Sequence, residues 1–112
     1  MKIVAAVDRS EFADLVVGMV RRLAHAETAE VLLLNVAPRE ADMLGRQLSR
    51  KVVQDPVPEE LRDRRELLDR LAADLAASGI RCSTLLLRGL PAKTIIQEAS
   101  RWSVDLIVVG SQ

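Results

Sequence analysis

A chain of 112 residues lies within the usual size of one domain and buries about two-thirds of the surface its unfolded form would expose. Hydrophobic residues at 49% and charged residues at 29% exclude a disordered chain. Lys plus Arg equal Asp plus Glu at 16 each, so no net charge draws in nucleic acid, anionic lipid or acidic substrates.

The single cysteine, Cys82, excludes an intrachain disulfide and a multi-cysteine metal site, and fits a reducing compartment, the cytoplasm. The N-terminal apolar run meets an acid at Asp8, too early for a signal-peptide core. No window is long and apolar enough to span a bilayer, so no membrane partner is expected. Phe12 and Trp102 are the only aromatics, and core filling is their natural use rather than base stacking.

Ile3 to Val7 reads as the first strand, apolar without alternation, as a strand covered on both faces does. Phe12, Leu15, Val16, Met19, Val20 and Leu23 follow at helical spacing and predict one apolar helix face. Ser10 is placed to cap that helix, with acids Glu11 and Asp14 at its start and Arg21, Arg22 and His25 towards its end. Val31 to Val36 is the second strand. Residues 38–57, with Leu44, Leu48 and Val52 at i+4 spacing and Asp55-Pro56-Val57-Pro58, read as a mobile segment with a turn or two of helix.

From Pro58 a second helix runs through Leu61, Leu68, Leu71, Ala72 and Leu75 to Ser78, and Gly79 offers a left-handed stop. Glu60 with Arg64 and Glu66 with Arg70 form i,i+4 pairs of the favourable orientation, each contributing about 0.2 to 0.5 kcal/mol on a solvated face. Thr84 to Leu87 is the third strand. The third helix begins at Pro91 and turns Ala92, Ile95, Ile96 and Ala99 inward, with Trp102 continuing that face. Leu106 to Val109 is the fourth strand. Strands alternating with helices give a single α/β domain over residues 1–112, a parallel doubly wound sheet between two helical layers. Such sheets bind ligands beyond the carboxyl ends of their strands, where strand order reverses.

Asp8 stands at such a strand end, immediately before a helix, where it either serves a ligand or caps a turn. Asn35-Val36-Ala37-Pro38 closes the second strand, where Val36 and free backbone groups grip a flat heterocycle or simply pack. Gly110 ends the last strand, allowing a ligand to approach the backbone or making a turn. The glycines stand only at 18, 45, 79, 89 and 110, so neither the P-loop nor the dinucleotide fingerprint is present. His25 has no second histidine or cysteine at ligand spacing, and Ser10, Ser83 and Ser111 have no histidine near them, which argues against a metal site and a serine hydrolase. A phosphoacceptor receiver domain needs an aspartate at the third strand's end, where Leu87 and Arg88 stand.

Taken together, Val4-Ala5-Ala6-Val7-Asp8-Arg9-Ser10-Glu11, Val31-Leu32-Leu33-Leu34-Asn35-Val36, Gly89-Leu90-Pro91-Ala92 and Asp105-Leu106-Ile107-Val108-Val109-Gly110-Ser111 resemble the universal stress protein family over nearly the whole chain. The resemblance implies a Rossmann-like or flavodoxin-like sheet, related to the adenine nucleotide alpha hydrolase class, with strand order 3-2-1-4 and a fifth strand beyond Gln112. It also implies an adenine-nucleotide site for ATP or AMP, formed by Ala6, Val7, Asp8, Val36, Val109, Gly110 and Ser111. Mg would come with ATP and reach Asp8 through the nucleotide, with no metal held by the protein alone. A homodimer, regulatory rather than catalytic action, and at most weak ATP hydrolysis follow from the same resemblance.

This sequence departs from the family pattern in places. The phosphate loop G-x2-G-x9-G-[ST] is matched only at Gly110, since its second glycine would fall one residue past Gln112. Arg9 replaces a frequent glycine. Leu90 replaces a common aspartate and gives up a helix cap worth about 1 kcal/mol. The expectation is of a domain truncated at its C-terminus, with Leu106 to Val109 left as an apolar edge that invites a partner. The rival readings are a nucleotide-free dimerisation module of the same fold, and an electron-transfer or hydrolase domain of the broader superfamily.

Overall fold

The computed structural model describes residues 1–8, 10–24, 28–38 and 51–110. Strands β1 (Lys2–Ala6), β2 (Glu30–Ala37), β3 (Lys51–Val52), β4 (Arg81–Arg88) and β5 (Leu106–Val109) form one sheet in the order β3-β4-β2-β1-β5. Helices α1 (Ser10–Ala24), α2 (Arg62–Ala77) and α3 (Pro91–Trp102) connect them, and a single 3-10 turn, Glu59–Leu61, leads into α2.

The four long strands are parallel and stand in the expected order 3-2-1-4. β3 is the departure, since it pairs antiparallel with the end of β4, Lys51 against Arg88 and Val52 against Leu87. Part of the segment expected to be mobile is therefore sheet. A two-residue run carries no periodicity, and β3 exists because the exposed edge of β4 offers it backbone partners. Leu44 and Leu48 lie outside the described residues, as do Arg9, His25, Ser111 and the Ser10 side chain.

The sheet is covered as a doubly wound sheet must be. On one face Ile3, Ala5, Val7, Val31, Leu33 and Leu86 pack against Val16, Val17 and Val20 of α1 and Leu68, Leu71 and Leu75 of α2. On the other, Val4, Leu32, Leu34, Val36 and Leu87 pack against Ile95 and Trp102 of α3. Sandwiched between two apolar layers, Val31 to Ala37 are all buried, which explains why the strand shows no polar alternation.

The helices correct the expected faces. α1 buries Ala13, Val16, Val17 and Val20, while Leu15 and Met19 are 69% and 49% exposed. α3 buries Thr94, Glu98 and Ala99, half-buries Ile95 and leaves Ala92 and Ile96 in solvent. In both helices the inward stripe lies beside the one that hydrophobicity picks out, because it is set by how the helix sits on the sheet.

Helix ends behave as the residues suggest. Gly79 takes φ 77° after α2, and α3 starts at Pro91 with no side-chain cap from Leu90. The surface pairs do not. Glu60 binds Arg88 at 3.1 Å rather than Arg64, and Arg70 binds Asp14 at 3.3 Å and Asp74 at 3.7 Å rather than Glu66. Tertiary partners outcompete i,i+4 neighbours that are worth so little.

Candidate functional site

The carboxyl ends of β1, β2 and β5 come together at the point where the chain, having built the sheet to one side of β1, returns to build on the other. Val7 N–H donates to the Leu34 carbonyl at 2.9 Å, carrying the β1–β2 ladder one residue further and delivering Asp8 at the rim. Gly89 N–H donates to the Ala37 carbonyl at 3.1 Å, which brings the start of α3 beneath these strand ends.

These elements enclose a cleft of about 260 Å³ lined by Ala6, Val7, Asp8, Leu34, Val36, Pro91, Ala92, Ile95, Val109 and Gly110. The structure thus brings six of the seven expected site residues, Ala6, Val7, Asp8, Val36, Val109 and Gly110, to one concavity; Ser111 lies outside the described residues. Asp8 and Gly110 both line this cleft, at the ends of neighbouring strands β1 and β5. The walls are aliphatic, and among the described residues Asp8 is the only charged lining group. Such a surface suits a flat apolar ring, and the exposed Asp8 carboxylate accepts hydrogen bonds from hydroxyl groups at its edge.

Gly110 has a structural duty besides its place in the cleft. A Cβ there would lie 2.7 Å from Val16 Cγ2 and 3.3 Å from Phe12 Cβ, so a side chain would push α1 off the end of β5. A larger hollow of about 520 Å³ lies at the β3 edge, between Lys51, Pro56, Pro58 and Arg88. It is away from the topological switch point, so size alone does not make it the candidate site.

Sequence reasoning missed the far side of Asp8. There a second cavity, about 470 Å³, is lined by Asp8, Asp63, Arg64, Glu66, Leu67 and Arg70. Between the cavities sits Asn35, fully buried, whose side-chain Nδ2 donates to the Val7 carbonyl at 2.8 Å. Its Oδ1 accepts from Arg64 Nη1 at 2.9 Å. The available signal was a polar residue inside an apolar strand, which folds only if its hydrogen bonds are met. Pro91, Ala92 and Ile95 were legible as the start of a helix, but nothing local tied them to the cleft.

The sequence profile of the universal stress protein family matches residues 1–112. The chain belongs to the universal stress protein family. A curated family member, universal stress protein Sll1388 of Synechocystis, is 25% identical over 118 aligned positions, covering 97% of this chain and 77% of that protein. Among solved structures, the universal stress protein of Archaeoglobus fulgidus in complex with dAMP superposes with TM-score 0.72 at 22% identity, over 97% of this chain and 79% of that one. A universal stress protein family protein from Arabidopsis thaliana with AMP bound gives TM-score 0.62 at 23% identity, over 99% and 76%. At these identities the structural likeness establishes the shared Rossmann-like fold. Universal stress protein architecture is thus present in all four parallel strands and the three helices described here.

No group of three His, Cys, Asp or Glu side chains among the described residues is arranged to hold a metal ion. No helix among them is long and apolar enough to cross a membrane. The Cys82 thiol is half-buried, and burial pushes its pKa up to about 11. It stays protonated at neutral pH and is a poor nucleophile.

Proposed function

We propose that this universal stress protein domain binds an adenine nucleotide, AMP or ATP, in the cleft between the ends of β1, β2 and β5, and acts as a cytoplasmic regulatory module. The observation that carries the reading is the aliphatic cleft itself, with Asp8 as its one charged lining residue among those described, in a fold shared with relatives solved with AMP and dAMP. Adenine lies between Val36 and the α3 start, and the Asp8 carboxylate accepts hydrogen bonds from the ribose hydroxyls. Backbone at Val109 and Gly110 faces the 5′ side, with Ser111 next in sequence. With ATP, Asp8 would be available to a phosphate-bound Mg through the nucleotide. Turnover beyond slow ATP hydrolysis is no part of the reading, since among the described residues Asp8 is the only candidate general base on the cleft.

Calorimetric titration of AMP and ATP into the chain and its Asp8→Ala variant tests this. The expected result is saturable binding weakened at least tenfold in the variant, the loss of one or two hydrogen bonds to a charged group. Absence of heat in the wild type, or equal affinities, overturns it.

One feature favours a second reading, a homodimer joined through β5. In the described sheet β5 pairs with β1 alone, and Ile107 and Val109 are 41% and 52% exposed. Light scattering of the wild type and an Ile107→Lys variant distinguishes the two: dimer mass lost in the variant, without nucleotide binding, supports the interaction module.

A further inference from the structure

We infer that Asn35 is a positioning residue for this site: it keeps the Asp8 carboxylate on the cleft side of β1 and so sets the preference for a ligand with ribose hydroxyls. This rests on the adenine-nucleotide reading above. Asp8 borders two hollows, the cleft on the α3 side and the cavity of about 470 Å³ on the α2 side, so its place at the rim does not by itself decide which one its side chain serves.

Alternation along β1 decides it. Ile3, Ala5 and Val7 pack towards α1 and α2, whereas Val4 packs towards α3. Asp8 follows Val7, so it turns to the α3 side, where the cleft opens, for as long as the chain stays extended through the Val7–Asp8 peptide. The strand itself ends at Ala6. Beyond it the chain is held through Val7, whose N–H donates to the Leu34 carbonyl at 2.9 Å and whose carbonyl accepts from Asn35 Nδ2 at 2.8 Å. The second of these bonds falls on the peptide that carries Asp8, and a side chain supplies it.

Asn35 holds that peptide in one orientation. Its carboxamide is fully buried, and because a carbonyl only accepts and a guanidinium only donates, the Val7 carbonyl and Arg64 Nη1, 2.9 Å from Oδ1, admit a single placement of the amide. Asp8 is exposed, and among the described residues no hydrogen bond or ion pair holds its carboxylate. Its direction therefore comes from its own backbone. With the Val7 carbonyl released, that peptide is free to rotate, and the α2-side cavity, lined by Arg64 and Arg70, competes with the cleft for the carboxylate.

The test compares AMP with its 2′,3′-dideoxy analogue by calorimetry on the full chain and on Asn35→Leu, Asn35→Asp, Arg64→Met, Asp8→Ala and the Asp8→Ala/Asn35→Leu double variant, each checked for folding by circular dichroism. The wild type is expected to prefer AMP by about tenfold or more, the worth of a hydrogen bond to a charged group. Asn35→Leu should cut that preference to about twofold or less, with the dideoxy analogue bound nearly as in the wild type. Asn35→Asp keeps the shape and the Arg64 bond but, ionised, has no proton for the Val7 carbonyl, so it should lose the preference too. Arg64→Met breaks only the other bond and should retain it. In the Asp8→Ala background Asn35→Leu should change neither affinity further, because both substitutions act through one carboxylate.

The inference is overturned if an Asn35 variant that folds keeps the wild-type preference or weakens both ligands together, as a merely structural role would. It is equally overturned if Arg64→Met abolishes the preference, or if Asn35→Leu lowers AMP affinity in the Asp8→Ala background as much as in the wild type. The leucine and aspartate variants remove the same bond by different routes, so either one decides the matter if the other does not fold. If the wild type binds neither ligand, the nucleotide reading itself fails and takes this one with it. A preference that survives in the Asn35 variants defeats the role of Asn35 alone.

Discussion

Replacing Asn35 by leucine isolates what a single buried amide contributes to this fold. Leucine keeps the branching of the side chain, with two methyl groups standing for the amide oxygen and nitrogen, and both hydrogen bonds vanish. The Val7 carbonyl, on a residue only 3% exposed, loses its side-chain donor, and an unsatisfied buried carbonyl costs about 1 to 3 kcal/mol. Loss of the charged Arg64 hydrogen bond adds about 1 kcal/mol, since water replaces part of it at a half-buried site. The larger apolar area of leucine offsets about 1 kcal/mol.

A net destabilisation of about 1 to 3 kcal/mol follows. At about 2.1 cal/mol/K per residue of unfolding entropy, a chain of 112 residues loses about 4 °C in Tm per kcal/mol, so the variant should melt about 4 to 12 °C lower. Urea unfolding followed by circular dichroism should show a lower midpoint at unchanged slope. A cycle with Arg64→Met should give a coupling of about 1 kcal/mol, because either change breaks the same bond. If Asn35→Leu is within about 0.5 kcal/mol of wild type, or the two changes are simply additive, the buried relay is not what holds α2 to the end of β1.

Cys82 gives a pH signature. Its folded pKa of about 11 lies above the unfolded value of 9.0, so stability is full below pH 9 and falls as pH rises towards 11, where the unfolded thiol has ionised and the folded one has not. The side chain is half-buried, so screening holds the effect below about 1 kcal/mol. Cys82→Ala should flatten the alkaline limb of the stability profile, and native Cys82 should alkylate more slowly at pH 8 than in urea. Ser103, at φ 53° and ψ 53°, ends α3 in the left-handed region that favours glycine. Ser103→Gly should therefore raise stability by about 0.5 to 1 kcal/mol, read as a Tm increase of a few degrees; a decrease would refute the strain.

Much of the molecule was written in local pattern. Short apolar runs marked the four long strands, without polar alternation in the first, the last and Val31 to Leu34, and the residues themselves announced the start of α3 at Pro91 and the stop of α2 at Gly79. Their alternation dictated a parallel sheet, and the parallel sheet dictated that Asp8, Val36 and Gly110 stand at the same end of it. That is why these three line one cleft, together with Ala6, Val7 and Val109, which the family resemblance implied.

What pattern could not supply was anything decided between elements distant in the chain. β3 owes its existence to an open edge on β4, and Arg70 found Asp14, a partner 56 residues away. The inward stripes of α1 and α3 depend on how each helix settles on the sheet, a rotation that hydrophobic spacing leaves free. Arg64 looked like one more charge on a solvated helix until the fold set it against a buried amide. Secondary structure here, β3 apart, follows from short-range sterics and periodicity, which the sequence determines by itself. The pairing of polar groups follows from which of them the packed core leaves within reach, and only the tertiary structure decides that.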